Sequence, residues 1–241
     1  MTQMVRLALM LLSSGVGLLG GCVHIGTSTD HREMSQTLLW YRTSANQKSL
    51  FMQAFTLARL QVAARLTEPP NSVWAVVVDI DETILDNSDY QLGLFESGKS
   101  YTEASWNDWV SRGKAVAFAP AREFIAWVRS QGVRVIAVTN RSQSQCTVTH
   151  RNLESQGVSV DGLLCAPDGV LMPEKESRFS GIENGTALPD LGALQVLLYI
   201  GDQVADCRGQ SEEKYDVTLF GSCCIALPNP IYGSWTQNPL R

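Results

Sequence analysis

Apolar positions change their period several times along the chain. Residues 1–21, MTQMVRLALMLLSSGVGLLGG, place one charge, Arg6, ahead of an apolar run and a stretch of small residues, the pattern of a secretory signal. That run falls short of the ~20 apolar residues of a membrane span. Between residues 33 and 66 the apolar and aromatic groups Leu38, Leu39, Trp40, Leu50, Phe51, Ala54, Phe55, Ala58, Val62 and Leu66 recur at helical spacing. This predicts one long helix or two consecutive ones, ending before Pro69-Pro70. Such an aromatic stripe packs a core and is assigned no chemistry.

From residue 73 the pattern alternates between short apolar runs and amphipathic stretches. Val73–Val78 is continuously apolar, as in a strand covered on both faces. A helix over 120–131 opens at Pro120 and stops at Gly132. Val133–Val138 reads as a second strand, 143–156 as a helix stopped by Gly157, and Leu163–Cys165 as a short third strand. Val196–Ile200 is a clear strand and Val217–Phe220 a shorter one. Strands alternating with helices predict an α/β fold with a parallel sheet and right-handed crossovers. Residues 88–115 break the rhythm with aromatic and polar positions, which reads as a cap inserted over a site.

The chain has 241 residues, 44% hydrophobic and 18% charged, which excludes a disordered or fibrous chain. Its formal net charge of −5 lacks the basic footprint of a nucleic-acid binder, so no nucleic-acid polymer is expected as a partner.

Ligands of an open parallel sheet bind beyond the carboxyl ends of its strands, and the chemistry is concentrated there. Asp79-Ile80-Asp81-Glu82-Thr83 follows the first apolar run, Thr139-Asn140-Arg141 the second, and Gly201-Asp202-Gln203-Val204-Ala205-Asp206 the fourth. Asp79 and Asp81 are two residues apart, and buried carboxylates so close both stay ionised only beside a cation. Asp202 from a neighbouring strand would complete an oxygen-rich pocket suited to Mg²⁺. No Gly-rich phosphate loop occurs, and His150 sits in a helix among ordinary polar neighbours.

These residues resemble the haloacid-dehalogenase (HAD) superfamily, and within it the class C bacterial acid phosphatases of the lipoprotein e(P4)-like group. The resemblance is carried by the Trp40-to-Ala58 region, VVVDIDETILDNSDYQ, WNDW, VTNR, LLYIGDQVADC and LPNPIYGSW. It implies a HAD-like sheet with a small cap and an Mg²⁺-dependent phosphomonoesterase acting on nucleoside monophosphates and other small phosphate esters. Asp79 would be the nucleophile and Asp81 the general acid and base. The metal would be held by Asp79, Asp202 and the backbone carbonyl of Asp81, with Asp206 outside that set. Thr139, Asn140 and Lys175 would bind phosphate, Lys175 through the K-x-x-R-F pattern of Lys175–Phe179, although the D-K-S stretch usual before it is missing. Trp106 and Tyr232 would stack on a base, with Trp109 beside them in the cap, and a homodimer is implied. Asp86 and Asn87 are read as shaping the loop that leaves the nucleophile strand. Two other readings are a phosphotransferase of the same fold and a surface binding lipoprotein with a vestigial site.

Leu19-Gly20-Gly21-Cys22 resembles a bacterial lipobox, in which cleavage precedes a cysteine that is then lipidated. Residues 1–21 would be the signal peptide, 22–32 a lipidated tether and 33–241 the phosphatase domain, anchored in the cell envelope. Val23 after the cysteine points to the outer membrane, facing the periplasm or surface. Cys22 then leaves Cys146, Cys165, Cys207, Cys223 and Cys224, with Cys207 expected to pair with Cys223 or Cys224 and at least one thiol left free.

Overall fold

A computed structural model of the chain describes residues 28–67, 72–170 and 174–239, residues 28–35 as backbone alone. The expected signal peptide and Cys22 lie outside the described residues.

Helix α1 (Ser28–Thr43) begins inside the stretch read as a tether. At Ser44 the backbone turns extended and the Ser44 hydroxyl accepts the Asn46 N–H at 3.1 Å, which opens α2 (Ala45–Arg65). The expected helical segment is therefore two helices, separated by a serine N-cap. Phe51, Phe55, Ala58 and Val62 line the buried face of α2. Leu39 and Leu50 of the same sequence stripe stay exposed.

Next come β1 (Val73–Val78), β2 (Leu85–Asp86), α3 (Ser88–Ser97), α4 (Glu103–Ser111), β3 (Val116–Ala117) and α5 (Ala119–Ser130). The rest of the chain adds β4 (Arg134–Ser142), α6 (Cys146–Ser155), β5 (Gly162–Ala166), α7 (Glu176–Asn184), β6 (Leu194–Gly201) and β7 (Cys224–Ala226). Among the described residues the main sheet has five strands in the order β5-β4-β1-β6-β7, and every pair is parallel. β1 lies at its centre. Val76 and Val78 face a core that contains Phe51, Phe55 and Phe124, while Ala75 and Val77 face Phe179, Ile182 and Tyr199. Both faces of β1 are thus covered, which explains its unbroken run of apolar residues.

The cap is two helices, α3 and α4, closed at the base by an antiparallel β2–β3 ladder that pairs Leu85 with Ala117 and Asp86 with Val116. Its α4 starts at a reciprocal cap, where the Thr102 hydroxyl accepts the Ser105 N–H and Ser105 Oγ accepts the Thr102 N–H.

One expected strand is corrected. Val217–Leu219 is a 3-10 turn, and the edge strand is Cys224–Ala226. Asp216 Oδ1 accepts both the Thr218 N–H and its hydroxyl, and Val217 is exposed. A side chain that satisfies nearby backbone in this way competes with a strand ladder.

Cys207 pairs with Cys224, one of its two expected partners, and Cys223 is the free cysteine among the described residues. A second disulfide, Cys146–Cys165, joins the start of α6 to the end of β5.

Candidate active site

Asp79 follows β1 directly, and its N–H still donates to Ile200 O of β6 at 2.8 Å. The carboxylate is therefore fixed by the sheet itself. Past it the chain turns tightly: the N–H groups of Ile84 and Leu85 both donate to Ile80 O, at 2.9 and 2.8 Å, and Glu82 takes a left-handed φ of +57°. This turn presents Asp81 beside the end of β4.

β6 delivers the other acids. Asp202 Oδ2 accepts from Gln203 Nε2 at 2.7 Å and Asn229 Nδ2 at 2.8 Å. Asp206 sits on the 3-10 turn Val204–Asp206, and its Oδ2 accepts the Gln203 N–H at 2.9 Å. That turn folds back over Gly201, where a Cβ would lie 2.1 Å from Asp206 Oδ2. Glycine is required there for space, not for backbone angle.

Lys175, at the N-cap of α7, is buried and donates to Asp79 Oδ1 and to Asp206 Oδ1, the latter at 2.7 Å. Carboxylate oxygens of Asp79, Asp202 and Asp206 all lie within 4.8 Å of one another. Two buried carboxylates, Asp79 and Asp206, thus share one ammonium, with the half-buried Asp202 beside them. Burial pushes the Asp79 carboxyl well above its usual range, opposed by Lys175 and reinforced by Asp206, Asp202 and Asp81. Burial, then the charge of Asp206, raises Asp202 to about 7. The Lys175 ammonium is penalised by burial, but Asp206 and Asp79 outweigh that and hold it protonated. An all-oxygen pocket with excess buried negative charge is chemically suited to a hard divalent cation.

Asp81 belongs to a separate network. Arg141 Nη2 and Nε donate to Asp81 Oδ1 at 2.7 and 3.0 Å, and Nε also reaches Oδ2 at 3.2 Å. The Arg141 side chain is 1% exposed. Thr139 Oγ1 donates to Asp81 Oδ2 at 3.4 Å and accepts the Arg141 N–H at 3.1 Å. Asn140 accepts at its Oδ1 from Arg178 Nη2 at 2.7 Å, while Arg178 Nη1 donates to Thr139 O at 2.5 Å.

The structure therefore brings Asp79, Lys175, Asp202 and Asp206 together, with Asp81 and Thr139 on the adjoining network and Asn140 held at its edge. Arg141 and Arg178 were quoted within motifs but given no task by sequence reasoning. Asn229 and Gln203, which hold Asp202, were not singled out at all. Arg141, Gln203 and Asn229 carried one available signal, a polar residue inside or beside a motif after a strand, and Arg178 carried another, its place in the K-x-x-R-F pattern on α7.

The aromatic candidates are half-buried. The Trp106 ring stacks edgewise on Tyr90 at 5.3 Å, and Arg141 Cζ lies 5.7 Å from its centroid. Trp109 donates from Nε1 to Asn87 Oδ1 at 2.8 Å. Tyr232 is held through its backbone, its N–H reaching Asn229 Oδ1 and its carbonyl facing Gln203 Nε2, both at 3.5 Å. His150 pairs with Glu154 on the exposed face of α6, away from this chemistry.

A central parallel strand ending in two aspartates, with further acids and a lysine converging from later loops, defines a HAD-like α/β fold. A sequence profile of the HAD superfamily, subfamily IIIB (acid phosphatase), matches residues 28–235, and the chain belongs to that family. The chain is 30% identical to acid phosphatase 1 of Solanum lycopersicum over 171 residues, 69% of this chain and 61% of that protein. It thus spans about three fifths of that relative's length. A stem 28 kDa glycoprotein of Glycine max is 25% identical over 192 residues, 78% of this chain and 68% of its own. The class C acid phosphatase of Bacillus anthracis, solved with tungstate bound, superposes with a TM-score of 0.74 at 27% identity. The match covers 85% of this chain and 87% of that one.

Proposed function

We propose that this protein is an Mg²⁺-dependent phosphomonoesterase that hydrolyses nucleoside monophosphates and similar small phosphate esters through an aspartyl-phosphate. The observation that carries the reading is the convergence of Asp79, Asp202 and Asp206 on one another, with Lys175 bonded to the first and last. Asp79 and Asp202, with the Asp81 carbonyl, would hold the ion, and Asp206 would orient its surroundings. When bound, the cation supplies positive charge that lets an anionic ester approach an anionic nucleophile.

The chain's own groups account for the rest. An Asp79 carboxylate oxygen attacks phosphorus as the ester P–O bond breaks, with Asp81 giving its proton to the leaving alkoxide. Asp81 then takes a proton from water as that water attacks the aspartyl-phosphate, which releases phosphate and restores Asp79. Lys175, Thr139 and Asn140 serve the non-bridging oxygens. Tungstate is a tetrahedral oxyanion of phosphate's shape, so its binding to the Bacillus anthracis relative supports an oxyanion site in the shared fold.

Trp106 and Tyr232 supply the base-stacking surface. Each hangs on a partner of a site aspartate, Trp106 against Arg141 and Tyr232 on Asn229 and Gln203. Stacking gives ~1–3 kcal/mol with little demand on base identity, so nicotinamide mononucleotide and aryl phosphates fit the same reading. The protein acts as a homodimer in the cell envelope, lipid-anchored through Cys22 at the outer membrane. Two disulfides support an oxidising compartment, and no helix among the described residues is long and apolar enough to cross a membrane.

The test is turnover of a nucleoside monophosphate with Mg²⁺ or with a chelator, beside Asp79→Asn. Activity is expected to require the metal and to fall by at least about 10³-fold in the variant, a nucleophile's share of the barrier. Full activity in chelator, or in Asp79→Asn, overturns the reading. Adding an alcohol acceptor and comparing nucleoside with free phosphate separates hydrolysis from phosphotransfer.

A further inference from the structure

Asn87 is fully buried at the root of the cap, and its hydrogen bonds run in two directions. Toward the site, its Nδ2 donates to Asp81 Oδ1 at 2.9 Å. Toward the cap, its Oδ1 accepts from Trp109 Nε1 of α4 at 2.8 Å. The same Oδ1 lies 3.3 Å from Arg141 Nη2, the guanidinium nitrogen that also grips Asp81. Its backbone N–H is spent on the buried Glu82 Oε1 at 2.8 Å, which pins the loop from the other side. The amide cannot flip without facing Asp81 with an oxygen and Trp109 with an NH₂ group, two mismatches at once.

We infer that Asn87 is a positioning residue for Asp81, and that it ties the aim of that carboxylate to the seat of helix α4 in the cap. The inference rests on the acid–base reading of Asp81 above. The cap then does more than cover substrate. When α4 is seated, Trp109 holds the Asn87 carboxamide and the carboxamide holds Asp81 at the angle the leaving oxygen needs. When α4 shifts, Asp81 keeps its Arg141 contacts but loses the one that refers it to the cap. Proton transfer depends on that geometry before all else.

Leaving groups provide the test. The value of kcat/KM reports steps up to departure of the leaving group. A nucleoside alkoxide needs a proton at that point, whereas 4-nitrophenolate leaves without one. Asn87→Ala and Trp109→Phe are compared with wild type on a nucleoside 5′-monophosphate and on 4-nitrophenyl phosphate. Trp109→Phe removes the indole N–H and keeps an aromatic ring, so it covers the case in which Asn87→Ala does not fold. Asn107→Ala is the control: it breaks a different bond between α4 and the body, the 2.7 Å bond from Gln145 Nε2 to Asn107 Oδ1, and leaves the Trp109–Asn87 bond in place.

For Asn87→Ala, kcat/KM on the nucleotide is expected to fall about 10- to 100-fold, part of a general acid's 10²–10⁴. On the aryl ester it should stay within about twofold. Trp109→Phe should show the same selectivity at about 5- to 10-fold, the worth of one hydrogen bond. Asn107→Ala should show none. Equal losses on both esters, or selectivity in Asn107→Ala as large as in Trp109→Phe, reduce Asn87 to a structural role and overturn the inference. Asp81→Asn separates the two readings. If it is leaving-group selective while the Asn87 and Trp109 variants are not, this inference alone falls; if Asp81→Asn shows no selectivity, the acid–base reading falls and takes the inference with it.

Discussion

Lys175 faces two buried carboxylates, and its removal would leave Asp79 and Asp206 without the ammonium that bonds to both of them. Removing one partner of a buried ion pair costs about 3–5 kcal/mol, so Lys175→Met should lower the urea midpoint markedly at neutral pH. The loss should shrink near pH 5, where the carboxyls raised by burial take up protons instead. Gly201→Ala tests packing in the same place. Its Cβ would strike Asp206, and the expected result is at least a tenfold loss of turnover through a displaced Asp206–Lys175 pair, seen with a rise in the Mg²⁺ needed for half-maximal rate. Legibility at this scale was uneven. The aspartates announced themselves as polar residues that end apolar runs, and Lys175 through its K-x-x-R-F surroundings. The task of Arg141 was hidden, because its guanidinium is buried by a carboxylate 60 positions earlier. Sequence spacing carries no information about that pairing.

The helices and strands whose faces are buried against one another were readable from periodicity, and those that depend on local polar bonds were not. β1 and α5 fall close to the expected ranges because β1 buries both faces and α5 carries a full apolar stripe of Ala121, Phe124, Ile125 and Val128. The turn at Val217–Leu219 was misread as a strand because two apolar residues look alike in either setting until Asp216 is seen to satisfy the backbone. The loop that carries Asp202 and Asp206 is stapled to the sheet edge by Cys207–Cys224, a separation of 17 residues. A closed loop of that size stabilises by about 3 kcal/mol. The double variant Cys207→Ser, Cys224→Ser should lose about 2–4 kcal/mol in denaturant titration. It should also need more Mg²⁺ for half-maximal rate, since Asp206 adjoins Cys207. An unchanged metal requirement would show that the staple serves stability alone.

For the molecule as a whole, the acid cluster sets how stability responds to pH. A carboxyl raised in the folded state, like Asp202 at about 7, holds a proton that the unfolded chain has already released. Between about pH 4 and 7 the folded form binds more protons, so metal-free stability falls as pH rises through that window and levels off above it. At ~1.4 kcal/mol per unit the fall amounts to a few kcal/mol, or about 2–4 °C of Tm for each kcal/mol in a chain this long. On the proposed reading Mg²⁺ would bind the ionised carboxylates of the fold, so the Tm gain on adding it should be larger at pH 7.5 than at pH 5. A Tm in chelator that rises from pH 5 to 7.5 would contradict the electrostatics of the site. The fold class was legible at this scale, as was the edge of the sheet that carries the chemistry. The excess of buried charge was not, because it is set by how deep two separate loops, after β1 and after β6, place their acids.

The two-residue ladder at the base of the cap brings the two ends of the insertion side by side, Leu85 against Ala117 and Asp86 against Val116. An insertion with adjacent ends can lengthen, shorten or be exchanged over evolutionary time with little strain on the sheet below. In this chain the indole N–H of Trp109 is one bond that limits the freedom. A lineage that reshaped α4 to admit a different leaving group would lose the Trp109 bond to Asn87 unless another donor arose in its place. New substrates would therefore be acquired at first with sluggish turnover of alkyl esters, and aryl esters would be the easier point of entry for divergence.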